Sequence, residues 1–229
     1  MKRACFIVLS VSFLVCRIEV AFAQGASTEM VEWPYVGADQ AASKYSPLAD
    51  INTANVDQLE IAWTWEPNEL PNQEFRTRPG SFEATPLMID NVIYLSTMYT
   101  RVVALDAETG QELWAFDPKA YRTGPRGAGP GGFKHRGVAV WEDGDEMRIF
   151  INSRDSLYSV DAASGTLIES FGQDGRVILT EDFPNEVTRD EFDQTSPPVV
   201  FEDLVIVGSR LQERKQHRLD TPGTIQAYN

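Results

Sequence analysis

The chain has almost no cysteine, a shortage of basic residues and no apolar run long enough to span a bilayer. Its two cysteines, Cys5 and Cys16, both fall within the first 23 residues. The remainder therefore contains no disulfide and no CxxCH haem attachment, and must hold itself together by packing. Lysine and arginine number 20 against 34 acids, a formal charge of −14. Such a balance argues against nucleic acid or an anionic membrane as partner, and any anionic ligand needs a local cation to hold it. The longest apolar stretch, Ala4 through Val15, is too short for a membrane helix, so no transmembrane span is expected in the mature chain. Helical periodicity is missing after residue 23, apart from short turns expected near 53–58 and 186–192.

The first 23 residues, MKRACFIVLSVSFLVCRIEVAFA, begin with Lys2 and Arg3, continue through the apolar run and end in Ala21-Phe22-Ala23 ahead of Gln24. A basic start, a short apolar middle and a small–x–small end are the grammar of a secretory signal peptide, expected to be cleaved near Ala23. Its removal takes away Lys2, Arg3 and Arg17 against Glu19, leaving the mature chain more acidic still.

Beyond Ala23 the chain is dominated by a repeat. Residues 102–114 read VVALDAETGQELW and residues 157–171 read LYSVDAASGTLIESF. Three strand-like runs, Val92–Thr97, Arg148–Ser153 and Leu204–Ser209, each end in a hydroxyl residue, and these ends are 56 residues apart. An apolar stretch and an acidic turn precede each run: PLMIDN, VAVWEDG and PVVFED. A third strand succeeds each: VVALD, LYSVD and IQAYN. The first two copies then have a turn at Gly110 or Gly165 and a fourth strand. Four short antiparallel strands repeated at this period predict the blades of a β-propeller, an all-β fold in which neighbouring sheets pack face to face around an axis. Trp114, ending a fourth strand, is expected to pack between blades. Glu169 stands at the matching place in the second copy, where Phe171 is expected to fill in for the tryptophan. Ile61–Trp65 reads as a lone last strand of a blade begun elsewhere, and the third copy breaks off at Tyr228-Asn229. Residues 24–229 are therefore expected to supply about three to four blades of a longer, closed propeller, and to be inactive alone.

ALDAETGQELW resembles the tryptophan-docking repeat of the quinoprotein dehydrogenases, whose cofactor is pyrroloquinoline quinone (PQQ). ADQAASKYSPLADINTANVDQLEIAWTWE resembles the family's N-terminal segment. FEATPLMIDNVIYLST, KHRGVAVW, RIFINSRDSLYSVDAASG and TSPPVVFEDLVIVGS come after it in the family's order. The resemblance runs from about Trp33 to Asn229 and lies nearest the glucose-dehydrogenase-like branch. It implies an eight-bladed propeller with PQQ near the axis. It also implies a periplasmic enzyme that oxidises a sugar or alcohol and passes electrons to a quinone or cytochrome.

Carried over motif by motif, the resemblance implies that Glu83 in FEATPL contacts PQQ, that Arg136 in HRG lies beside the quinone oxygens, and that Thr195 in QTSPPV binds a PQQ carboxylate. It implies that Glu213 is an acidic ligand to the Ca²⁺ that sits on PQQ. The chemistry is coherent: a tricarboxylate needs cations and donors in an acidic chain, and oxygen ligands suit Ca²⁺. His135 reads as a neighbour of Arg136. Adjacent cysteines that precede the arginine in some alcohol-oxidising members are replaced by Gly129-Pro130-Gly131-Gly132-Phe133, which favours the glucose-type branch. The catalytic base is expected beyond residue 229. Two rivals stand beside this reading. A non-catalytic envelope scaffold built from similar repeats would have no need of Glu83, Arg136 and Thr195 together. A polysaccharide-binding or hydrolytic propeller would use a carboxylate pair.

Overall fold

Short β-branched and aromatic runs separated by Asp, Asn and Gly turns fold as antiparallel strands. The computed structural model describes residues 31–125, 132–183, 187, 192–211 and 223–229. The signal segment, Glu213 and most of the turn expected near 186–192 lie outside the described residues.

The first sheet holds β1 (Leu87–Ile89), β2 (Val92–Ser96), β3 (Val102–Asp106) and β4 (Glu112–Phe116), paired in that order. The second holds β5 (Ala139–Asp143), β6 (Glu146–Ser153), β7 (Ser156–Asp161) and β8 (Arg176–Ile178), again in sequence order. Between Phe192 and the end of the chain come β9 (Phe192–Asp193), β10 (Val199–Phe201), β11 (Leu204–Gly208), β12 (Arg210–Leu211) and β13 (Ile225–Tyr228). Strands β10, β11 and β13 make the third sheet, and β9 pairs with β12 beside it. Every pairing between named strands is antiparallel. Among the described residues, helical turns are confined to Val56–Gln58, within the expected stretch, and Ala120–Thr123, which carries no periodic signal.

The period-2 alternation of a strand sends successive side chains to opposite faces, and here both faces are used. In β6, Ile149 and Ile151 join Leu87, Tyr94, Val102 and Ala104 in a core between the first and second sheets. Phe150, between them in sequence, joins Val205 and Val207 in a core between the second and third. The middle sheet is thus buried on both sides, as a propeller blade is. On the other face of the first sheet, Leu95, Val103 and Leu105 are covered by Trp63 and Trp65. The first strands of the three sheets converge: Leu87, Val138–Val140 and Val199–Phe201 line one cleft of about 620 Å³, roofed by residues from Pro34 to Ala42.

Each repeated turn is built alike. The Asp106 carboxylate accepts hydrogen bonds from the Thr109 amide and hydroxyl at 2.8 and 2.6 Å, and the Gly110 amide donates to the Asp106 carbonyl at 2.8 Å. In the second copy Asp161 accepts from the Ser164 amide and hydroxyl at 2.8 and 2.5 Å, and the Gly165 amide donates to the Asp161 carbonyl. The hydrogen bonds from Thr109 hold the Asp106 carboxyl below the usual carboxylate range. Onto each turn lies a tryptophan from the preceding unit. The Trp114 indole N–H donates to the Ala162 carbonyl at 3.0 Å, and Trp63 donates to the Ala107 carbonyl at 3.1 Å. Trp114 therefore ties one blade to the next, as expected of it.

Two stretches differ from expectation. Ile61–Trp65 is not a strand, because no described neighbour offers it a ladder; yet Trp63 docks as Trp114 does, so the segment occupies a last-strand place. In the second sheet the fourth strand is Arg176–Ile178 rather than the residues directly after Gly165. Leu167 makes one isolated bridge to Val160, the chain then loops out through Gly172 and Gly175, both at positive φ, and pairing with β7 resumes at Arg176. Phe171 does not replace the docking tryptophan; it packs edge-on to Phe150, 5.4 Å between ring centroids.

Glu69 staples the segment after Trp65 to the β2–β3 turn. Its carboxylate accepts from the Thr97 hydroxyl at 2.5 Å and the Tyr99 amide at 2.8 Å. Burial pushes the Glu69 carboxyl above its ordinary value despite those bonds. A raised carboxyl favours folding below its unfolded pKa and loses that contribution as pH climbs through the folded one. Glu69→Gln keeps one acceptor for the Tyr99 amide and a donor for Thr97. Its melting temperature should gain on the wild type as pH climbs above the ordinary carboxylate range. Parallel pH profiles would remove the ionised carboxylate as the cause.

Candidate functional site

Glu83, Arg136 and Thr195 stand four, three and four residues ahead of β1, β5 and β10, the first strands of three successive sheets. Equivalent places ahead of the first strands of neighbouring blades bring them together. The Arg136 guanidinium joins the other two. Its Nη2 lies 3.0 Å from Glu83 Oε2, and its Nη1 donates to the Thr195 hydroxyl at 3.0 Å and the Thr195 carbonyl at 3.3 Å. All three expected cofactor residues thus belong to one bonded line, 59 residues of chain separating Arg136 from Thr195.

Lys134 is a further member, not among the expected residues although it sits in the same KHRG motif. Its ammonium donates to Glu83 Oε1 at 3.1 Å. The Lys134 hydrogen bond, with the charges of Lys134 and Arg136 behind it, holds the Glu83 carboxyl below its ordinary range. Glu83 is therefore ionised at neutral pH, and the four side chains carry one net positive charge within a chain of formal charge −14. The backbone supports the cluster: the Thr85 amide donates to the Arg136 carbonyl at 2.9 Å. At Gly137, φ is +150 and an added Cβ would meet the Thr85 carbonyl at 3.0 Å, so the turn after Arg136 needs glycine.

His135 points the other way and is buried, at 1% exposure. Its Nδ1 receives the Gly137 amide at 3.4 Å and lies 3.1 Å from the Ser96 hydroxyl, which assigns the proton to Nε2. Nε2 then donates to the Asn152 carbonyl oxygen at 2.8 Å, and the Asn152 amide donates to Gln194 at 3.1 Å. This chain runs from β2 through β6 to the residue before Thr195. It links the first two sheets to the loop that carries Thr195, and holds the residues on both sides of Arg136 and the residue before Thr195. The sequence marks His135 only as a neighbour of Arg136. Its inward direction follows from alternation with Arg136, once 132–136 is known to be extended. His135→Leu strands the Ser96 hydroxyl and the Asn152 side-chain oxygen without a partner, and should cost about 2–4 kcal/mol of stability in chemical denaturation.

Two cations, a hydroxyl and one counter-carboxylate, converging just ahead of the first strands, suit a ligand rich in carboxylates. The donor set therefore fits PQQ. Glu213 lies outside the described residues, and among the described residues no three His, Cys, Asp or Glu side chains gather as a metal site.

Comparison with known proteins agrees with this geometry. The family model for the PQQ glucose/ethanol/alcohol dehydrogenase β-propeller domain matches residues 33–229. The chain is similar to the quinoprotein glucose dehydrogenase of Gluconobacter oxydans, 31% identical over 220 residues, covering 86% of this chain and 26% of that protein. It is also similar to the quinohemoprotein alcohol dehydrogenase of Comamonas testosteroni, 32% identical over 202 residues, covering 86% of this chain and 24% of that one. The crystal structure of the latter superposes with a TM-score of 0.67, at 29% identity, over 87% of this chain and 25% of that one. The chain thus spans about a quarter of the length of the relatives it matches. With its blades, its docking tryptophans and a family match over nearly all of its described residues, the chain belongs to the PQQ-dependent glucose/ethanol/alcohol dehydrogenase β-propeller family.

Proposed function

We propose that residues 24–229 are blades of an eight-bladed quinoprotein dehydrogenase that oxidises a sugar or an alcohol and passes the electrons to a quinone or cytochrome. The observation that supports it most is the bonded line Glu83–Arg136–Thr195 across three blades. PQQ, when bound, supplies the two-electron acceptor that no protein side chain provides.

The chain's own residues have defined tasks in that scheme. Arg136 and Lys134 offset the ligand's carboxylates, and Arg136 also stabilises negative charge that develops on the ligand's oxygens during reduction. Thr195 presents a hydroxyl that donates once Arg136 has turned to the ligand. Glu83 bridges the two cations and holds them side by side. Glu213 would supply one carboxylate oxygen to Ca²⁺, a ligand type that this hard cation prefers. Residues 1–23 would direct export to the periplasm, so the mature protein in a periplasmic fraction should begin at Gln24 on N-terminal sequencing.

The test is a titration of the intact apo-protein with PQQ and Ca²⁺, with dye reduction then read over a panel of sugars and alcohols. Activity that requires both additions is expected, and the panel names the substrate. A folded protein that fails to bind PQQ overturns the reading.

A further inference from the structure

Arg154 occupies the turn between β6 and β7 with a left-handed backbone, φ +58, although it is not glycine. It is 6% exposed, and neither of its terminal guanidinium nitrogens makes a hydrogen bond among the described residues. Both features cost stability: the backbone conformation is strained, and a buried charge with unmade bonds is among the least favourable arrangements a fold tolerates. An apolar side chain of the same length would remove those unmade bonds, while Asp193, 3.9 Å away and beyond hydrogen-bond distance of Arg154, keeps the Gln194 amide as its donor.

What Arg154 touches suggests why it is kept. Its guanidinium lies over the Phe133 ring, 5.6 Å from the centroid, and its Nη1 is 3.9 Å from Asp193 Oδ1. Phe133 is three residues ahead of Arg136, and Asp193 is two residues ahead of Thr195. Arg154 therefore contacts both of the segments between which the Arg136–Thr195 hydrogen bond is made. Attraction of one cation for a ring on one segment and a carboxylate on the other draws the two toward a common point. Strained and imperfectly bonded groups that persist in a packed interior concentrate where function requires them.

We propose that Arg154 is a positioning residue that sets the spacing of Arg136 and Thr195 for the bound cofactor, kept at the expense of stability. The inference rests on the reading of Glu83, Arg136 and Thr195 as the cofactor site.

The experiment compares wild type, Arg154→Met and Arg154→Lys in the intact protein. Ligand-free thermal unfolding is measured beside a PQQ titration read by quenching of tryptophan fluorescence. Arg154→Met should melt at or above the wild-type temperature while its Kd for PQQ weakens about tenfold, the lower end of what outer-shell residues contribute. Arg154→Lys, which keeps the charge, should recover most of that affinity. Opposite signs for stability and affinity are the mark of positioning, because a residue that merely packs would lose both. An Arg154→Met protein that melts lower, or a Kd left unchanged while wild type binds, overturns this inference alone. A wild type that binds no PQQ overturns the cofactor reading and this inference with it.

Discussion

Arg136→Ala in the intact protein should weaken PQQ binding by roughly 30-fold or more, about 2 kcal/mol by the usual conversion. The magnitude comes from how much the guanidinium does. It bonds Thr195 twice and Glu83 once, from a side chain that is 42% exposed. Partial exposure lowers the worth of each charged contact, which keeps the expectation at the bottom of the range for truncated charge pairs. The loss has a second component. Without Arg136 the cluster's net charge falls from one positive to zero, so a polyanionic ligand meets no excess cation. Arg136→Lys separates the two. It restores the charge but cannot reach Thr195 and Glu83 at once with a planar fork, and should recover only part of the affinity. Equal affinity in wild type and Arg136→Ala, read by isothermal titration, would remove Arg136 from the site.

How much of this is legible in the sequence depends on the distance over which each signal acts. Strand runs, Asp–Gly turns and a repeat of 56 residues are local or periodic, and all three first-, second- and third-strand assignments hold in the structure. The fourth strand of the second sheet departs from the repeat, because the turn through Gly172 and Gly175 interrupts it and a periodic template cannot show an insertion. Glu83, Arg136 and Thr195 are visible through resemblance, and the structure brings all three together. Lys134, one residue from His135 in the same motif, is not marked by the family pattern, which singles out the arginine. Its role depends on the side of the chain it occupies, the same side as Arg136 and opposite His135. Arg154 carries no signal at all. Its burial depends on packing of Phe133 and Asp193, which come from segments 21 and 39 residues away in sequence, and no local pattern encodes that meeting.

Gly165→Ala should destabilise the fold by about 3 kcal/mol, and its effect should fall to roughly half when Trp114 is also replaced by alanine. Gly165 adopts φ +73, a conformation that costs any residue with a Cβ roughly 1–2 kcal/mol. An added methyl group would also lie 2.5 Å from Trp114 Cε3, well inside contact distance. The indole must then slide, giving up its hydrogen bond to the Ala162 carbonyl and its place against Tyr94, 6.0 Å between centroids. Trp114→Ala alone should cost about 3 kcal/mol through lost packing and that bond. In the double variant the methyl group enters the space the ring has left, so only the backbone strain remains beyond the loss of the ring. The expected coupling is about 1–2 kcal/mol, measured as the departure from additivity in chemical denaturation. Gly144 provides the contrast. It also has positive φ, +59, but nothing lies within 4 Å of an added Cβ, so Gly144→Ala should show the strain and no coupling to any tryptophan. Additive costs at Gly165 and Trp114 would mean that the glycine serves the turn alone, and that the repeated tryptophan does not depend on it to join one blade to the next.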